Sequence, residues 1–265
     1  MGMAGRVREQ GWIGLSTNVL LVGLIFSGLG FGIGADLMEG SGAAFVFLMA
    51  GWVLGLCLHE FGHAEAARLC GLPAAGSLSL DPLRAPNPLA TMLLPTVFTI
   101  LGGLGFPGGV GVPPEGVSSP ARRSMIAAAG PAMSLAFLVA LVVLYALASP
   151  AAETLRAALA VSVLFQGTAL ILGLMPVPGL DGYDIVRPWI SGPATARAGT
   201  APSRPSGIWT WADRMARHSS LVLLGIFLVS GAFTRPLFRA SLRLTAGLGI
   251  DLADVITGYR LVRLW

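Results

Sequence analysis

The sequence predicts an all-α polytopic membrane protein of about five to six transmembrane helices with a re-entrant Gly-rich hairpin segment. Three observations predict it. Apolar residues make up 54% of the 265 positions, and with 36 glycines added about two-thirds of the chain is non-polar, against roughly half in soluble domains. Charged residues are only 11%, less than half of the roughly 25% that a water-facing surface carries. Several apolar runs reach the ~20 residues needed to cross the hydrocarbon of a bilayer. The lipid bilayer is therefore an expected partner. The net charge of +4 comes from 17 basic residues, all arginine. They stand singly or in pairs between apolar runs, a pattern of membrane topology with no stripe for nucleic acid.

The expected spans are 12–33, 43–67, 89–106, 125–148, 157–175 and 219–233. The run at 12–33 is too long for a signal peptide and lacks a good small-residue cleavage site, so it reads as the first span. Arg6 and Arg8 precede it and Asp36 and Glu39 follow it, which puts the N-terminus in the cytoplasm under the positive-inside rule. The loop 191–207 is rich in Pro, Ser, Ala, Gly and Arg, cannot bury a core, and reads as a flexible cytoplasmic loop. No polar stretch is long enough for an appended soluble domain, so 1–265 is expected to form one membrane-embedded domain. The end, 240–265, carries Asp251 and Asp254 and closes on Arg-Leu-Trp, the signature of an interfacial segment. An Ala, Gly, Arg and Pro excess without lysine points to a high-GC bacterial source and hence to the inner membrane. Cys57 and Cys70 are 13 residues apart, about 20 Å on a continuous helix, and are expected to be reduced.

The second span contains His59-Glu60-Phe61-Gly62-His63. Histidines at i and i+4 share a helix face, where both imidazoles can turn to one zinc ion. Glu60 is rotated one step away, able to take a proton from an attacking water without being a ligand. The alternative is an interfacial histidine pair snorkelling to water with Glu60 as counter-ion; ionisable groups inside a span are costly and mark function by default. A catalytic zinc needs a third protein ligand. Asp181 follows the fifth span in Met175-Pro176-Val177-Pro178-Gly179-Leu180-Asp181-Gly182, where two prolines stop the helix. Alone it reads equally as an Asp-Gly turn; beside an incomplete two-histidine site it becomes the candidate ligand. His218 has no partner at ligand spacing and reads as interfacial.

These motifs together resemble the site-2 protease family of intramembrane zinc metalloproteases, with H-E-F-G-H at 59–63 and M-P-V-P-G-L-D-G at 175–182. The resemblance implies Zn2+ held by His59, His63 and Asp181, with Glu60 as the catalytic base and a transmembrane protein as substrate. Ala129-Gly130-Pro131-Ala132-Met133-Ser134 is similar to the family's G-P-x-x-N, and Phe106-Pro107-Gly108-Gly109-Val110 is similar to a Gly-rich loop of some bacterial members. Two positions depart from the pattern: the family usually has asparagine where this chain has Ser134 and Gly173. Gly108, Gly109, Val110, Ser134, Gln166 and Gly173 are the candidate substrate contacts. Gln166 is placed to compensate for the missing amides.

If one metal joins the second span to Asp181, both must lie at the same depth, near the cytoplasmic end of the second helix. The chain between 67 and 125 must then begin and end in the cytoplasm, so 89–106 cannot be a lone crossing and is expected to be re-entrant. Its glycines suit non-helical backbone lining a cavity, and 106–113 suits an edge that accepts an unwound substrate as an added strand. The expected function is zinc-dependent hydrolysis of peptide bonds in or next to transmembrane segments near the cytoplasmic face. The competing readings are a catalytically silent relative that binds membrane partners and a metal transporter, for which Asn18, Ser27, Ser134 and Ser162 are too scattered to form a path.

Overall fold

The computed structural model describes residues 16–72, 96–97, 119–190 and 230–262. Among them lie seven helices: α1 (Thr17–Gly34), α2 (Ser41–Leu69), α3 (Pro120–Leu147), α4 (Glu153–Gly173), α5 (Asp181–Ile190), α6 (Gly231–Gly247) and α7 (Leu252–Val262). Helices α1 to α4 are long and apolar enough to cross a membrane, and the chain is a membrane protein of helical class. The expected third span apart from residues 96–97, Gly108, Gly109 and Val110, the loop 191–207 and most of the sixth span lie outside the described residues. At the end of that sixth span a new helix, α6, begins at Gly231 and carries Phe233 on to Gly247, so the hydropathy boundary at Phe233 is not a helix end.

Each described span starts and stops for local reasons. Ser16 caps α1 by accepting the Val19 N–H at 3.1 Å, replacing a partner that the first turn lacks. Gly40, at φ 98°, precedes α2 in a conformation that L side chains avoid. Arg68 lies in the last turn of α2, where a cation suits the dipole, and is paired with Glu65 at 2.5 Å. Pro120 starts α3 at a position that needs no donor. Pro176, Pro178 and Gly179, the last at φ 91°, break the chain between α4 and α5.

Helix α4 is buried on nearly every side, from Ala157 through Thr168 without interruption, as a helix apolar all round should be. Helices α1, α2, α3, α6 and α7 all pack on it. Phe26 of α1 stacks on Phe47 of α2 with ring centroids 4.5 Å apart. Gly258 lets α7 lie directly on α4: a Cβ there would collide with the Ala157 carbonyl. In the C-terminal segment, Val255 and Val262 lie in the main apolar core.

Candidate metal centre

The centre forms where α2 and α3 cross and α5 begins. His59 and His63 lie one turn apart on α2, and their Nε2 atoms face each other at 3.1 Å. The break after α4 turns the chain back so that Asp181, the first residue of α5, meets both. Its Oδ2 is 3.2 Å from His59 Nε2 and its Oδ1 3.2 Å from His63 Nε2. Of the described residues, these three form the one His/Cys/Asp/Glu group whose donor atoms converge, all within 4.8 Å.

The far side of each ring is held. His63 donates from Nδ1 to the Ile126 carbonyl at 2.8 Å, and a carbonyl can only accept, so in the neutral ring Nε2 is a bare lone pair. That carbonyl belongs to the turn of α3 that Pro131 disturbs, since proline cannot donate to Ala127 and crowds the turn before it. His59 Nδ1 meets the Ser134 hydroxyl at 2.9 Å. Partners of this kind orient metal-ligating imidazoles.

The donor set fits a metal ion. A proton on one Nε2 serves one contact at a time, whereas a cation serves two nitrogens and a carboxylate together. Burial opposes ionisation of Asp181, but the neighbouring His59 and His63 outweigh it and hold the carboxyl below the usual carboxylate range. The His59 and Asp181 side chains are 9% and 11% exposed, and that of His63 is 24% exposed.

Glu60 sits half-buried beside His59, outside the converging triad. Its charge acts on His63, and among the described residues its carboxylate makes no hydrogen bond. A small cavity of about 20 Å3 opens on His59 and Asp181 and is lined also by Ser134, Gln166, Gly173 and Trp52. Three of the expected substrate contacts are thus gathered beside the triad, although the Ser134 hydroxyl is engaged with His59. Two participants escaped the sequence reading: the Ile126 carbonyl, for which no side-chain signal exists, and Trp52, which stands seven residues before His59 and hence on its face of α2.

A curated protein of Mycolicibacterium smegmatis, named "Putative zinc metalloprotease Rip2", is 33% identical over 225 residues, covering 83% of this chain and 81% of the relative. The chain belongs to the site-2 protease family. Proteins of the same name from two strains of Mycobacterium tuberculosis are 40% identical over 164 residues, 60% of this chain and 62% of their own length. No family model and no solved structure matches. For a member of the site-2 protease family, the zinc in the relatives' names agrees with the chemistry of the His59, His63 and Asp181 donors.

Proposed function

We propose that the chain is a zinc-dependent intramembrane endopeptidase that cuts peptide bonds in or next to transmembrane segments near the cytoplasmic face. The observation that carries this reading is the convergence of His59, His63 and Asp181 on one point, with Glu60 next to the first ligand on a helix long enough to span the bilayer. Family membership and the relatives' names support it.

His59, His63 and Asp181 would hold the metal, their geometry kept by Ser134, Ile126 and the start of α5. A bound zinc supplies Lewis acidity, polarising the scissile carbonyl and making the attacking water more acidic. Glu60 takes the proton of that water as the new C–O bond forms, then delivers it to the departing amine as the C–N bond breaks, so no proton is gained or lost. The substrate segment must be extended first, because a helical peptide bond is shielded and its backbone already paired. We place the protein in a bacterial inner membrane, N-terminus in the cytoplasm, acting on a transmembrane protein in regulated intramembrane proteolysis.

The silent-partner reading draws on Ser134 and Gly173. At the two positions where the family usually has asparagine, one side chain is spent on His59 and the other is absent. Zinc content of the detergent-purified protein, measured with cleavage of labelled transmembrane peptides, separates the readings. The expected result is about one zinc and cleavage in the native chain, metal without cleavage in Glu60→Gln, and loss of metal in Asp181→Ala. Stoichiometric zinc with no peptide cut by the native chain would favour the silent partner, and absence of zinc would end the metal reading.

A further inference from the structure

Helix α6 turns two unlike faces to its surroundings. Leu237, Ser241 and Thr245 are buried, and the two hydroxyls are spent inside the helix, Ser241 on the Leu237 carbonyl at 2.9 Å and Thr245 on the Ser241 carbonyl at 2.8 Å. Arg235, Arg239 and Arg243 stand on the other side, at i, i+4 and i+8, and all three are exposed. Four residues are a little over one turn, so the three form a single stripe about 12 Å long. None of them makes a hydrogen bond or ion pair among the described residues. The level of the stripe follows from what the buried face touches. Leu237 joins Leu172 of α4 and Leu180 in one apolar cluster. Seven residues on, the Leu244 side chain lies against Gly167 of α4, 3.2 Å from where a Cβ would stand. Helix α6 therefore runs antiparallel to α4, and beyond it the Asp251 N–H reaches Tyr145, which Arg156 at the far end of α4 also contacts. The stripe thus lies beside the last turns of α4, from Gly167 to Gly173, a rise of about 9 Å. Arg68 in the last turn of α2, Arg122 and Arg123 at the start of α3 and Arg187 of α5 stand at this same end of the bundle. Asp36, Glu39, Glu153, Asp251 and Asp254 stand at the opposite end, where α1 finishes against Leu155.

An arginine that faces away from a membrane bundle is costly unless its charge meets a partner, and near the end of a span a long side chain reaches the headgroup layer by snorkelling. We propose that the outward face of α6 docks anionic phospholipid headgroups of the leaflet at the metal-centre end. The guanidinium fork matches phosphate oxygens in paired hydrogen bonds. Three cations without a carboxylate favour a lipid of net negative charge, since a zwitterionic headgroup brings a cation of its own and its two charges largely cancel. Phe238, 36% exposed, and the half-buried Leu242 flank the stripe and offer acyl chains a surface. A second copy of the chain has no carboxylate for this role on α1 to α4: Glu60 lies beside the metal centre, Glu65 is paired with Arg68, and Glu153 stands at the far end. An acidic helix of another protein would have to bury carboxylates of its own to reach the stripe, whereas a headgroup is already at that level. The docking face is independent of the protease reading.

The test places the full-length chain with zinc in phosphatidylcholine nanodiscs that carry a minor share of photoactivatable phosphatidylglycerol, and cross-links are mapped by mass spectrometry. Phosphatidylglycerol should label residues 231–247, and unlabelled phosphatidylglycerol should displace it where phosphatidylcholine does not. Arg235→Gln, Arg239→Gln and Arg243→Gln should each lower the apparent affinity about fivefold, and the three together should abolish the preference. Arg235→Lys, Arg239→Lys and Arg243→Lys combined, which keep the charge, should retain most of it. Because these side chains point away from the core, the triple glutamine variant in pure phosphatidylcholine should keep native zinc content and thermal midpoint, which separates lost docking from lost fold. Equal labelling of α6 by photoactivatable phosphatidylcholine, or labelling unchanged in the triple glutamine variant, would mean that lipid merely covers the helix and would overturn the site. A protein cross-linked to α6 in native membranes in place of lipid, the outcome expected of an acidic partner helix, would overturn it as well.

Discussion

Gly130 of α3 lies so close to His63 of α2 that a Cβ on it would fall on the imidazole ring. On the opposite side of the same crossing, a Cβ on Gly62 would strike the Ala129 carbonyl. Two glycines thus let the helices approach closely enough for the Ile126 carbonyl to reach His63. Gly130→Ala should displace the ring and weaken zinc binding on the order of 10–100-fold, the range seen when a ligand's supporting contacts are lost. Competition with a fluorescent chelator measures it, and native affinity in the variant would show that the crossing does not position His63.

Ser134 is the side chain that orients His59, through a 2.9 Å contact to Nδ1. Ser134→Ala should lower zinc affinity by about tenfold and leave the stoichiometry intact. Ser134→Asn, which retains a hydrogen-bonding group, should recover part of the loss. An alanine variant with native affinity would release Ser134 from this role.

Removing the metal leaves a carboxylate and two imidazole nitrogens converging at 3.1–3.2 Å with no cation between them. Chelation should therefore lower the thermal midpoint, since zinc at 100 times its dissociation constant stabilises the fold by about 2.7 kcal/mol. Readdition should restore the midpoint, and Asp181→Ala should respond to neither step. Acidification should act in the same direction: both imidazoles must be neutral to bind metal, the free site takes up protons, and zinc affinity falls as the pH drops. A midpoint indifferent to chelator and zinc in the native chain would contradict the assignment.

At the other end of α4, Arg156, Tyr145 and Asp254 tie α7 to the α3–α4 corner. The Tyr145 hydroxyl donates to Asp254 at 2.6 Å and accepts from Arg156 at 2.7 Å and from the Asp251 N–H at 3.2 Å. Arg156 also reaches Asp254 at 3.2 Å and lies 4.3 Å from the centre of the Tyr145 ring. The charged groups are partly exposed, which moderates the effect. Arg156→Ala should cost about 1 kcal/mol in stability with zinc content unchanged, because the site lies seventeen residues further along α4 at Gly173. Thermal unfolding and metal analysis of one preparation test both statements, and a loss of zinc would show that the clasp reaches the site.

The histidine pair was legible in the sequence because i and i+4 share a helix face wherever the helix sits. So were the cores of four spans, since an apolar run of sufficient length needs no knowledge of its neighbours. Asp181 was legible only in part: two prolines announced the break, but its meeting with α2 depends on the angle at which the chain returns. The onset of α6 at Gly231 was not legible, because hydropathy averages over a window and does not register where backbone hydrogen bonding restarts. The meeting of Tyr145, Arg156 and Asp254 carried no local signal, because the three stand on three different helices.

By itself, then, the sequence determined the helical membrane class, the two histidines and the glutamate between them, all consequences of periodicity and composition within single helices. Tertiary structure alone decided that Asp181 closes the triad, that Ile126 and Ser134 hold the two rings, and that Trp52 and Gln166 share one cavity. The physical reason is that each of these contacts depends on the depth and angle at which helices cross. Those are set by close packing at a few small residues, Gly55, Gly62 and Gly130, whose spacing along the chain does not reveal which partner they admit.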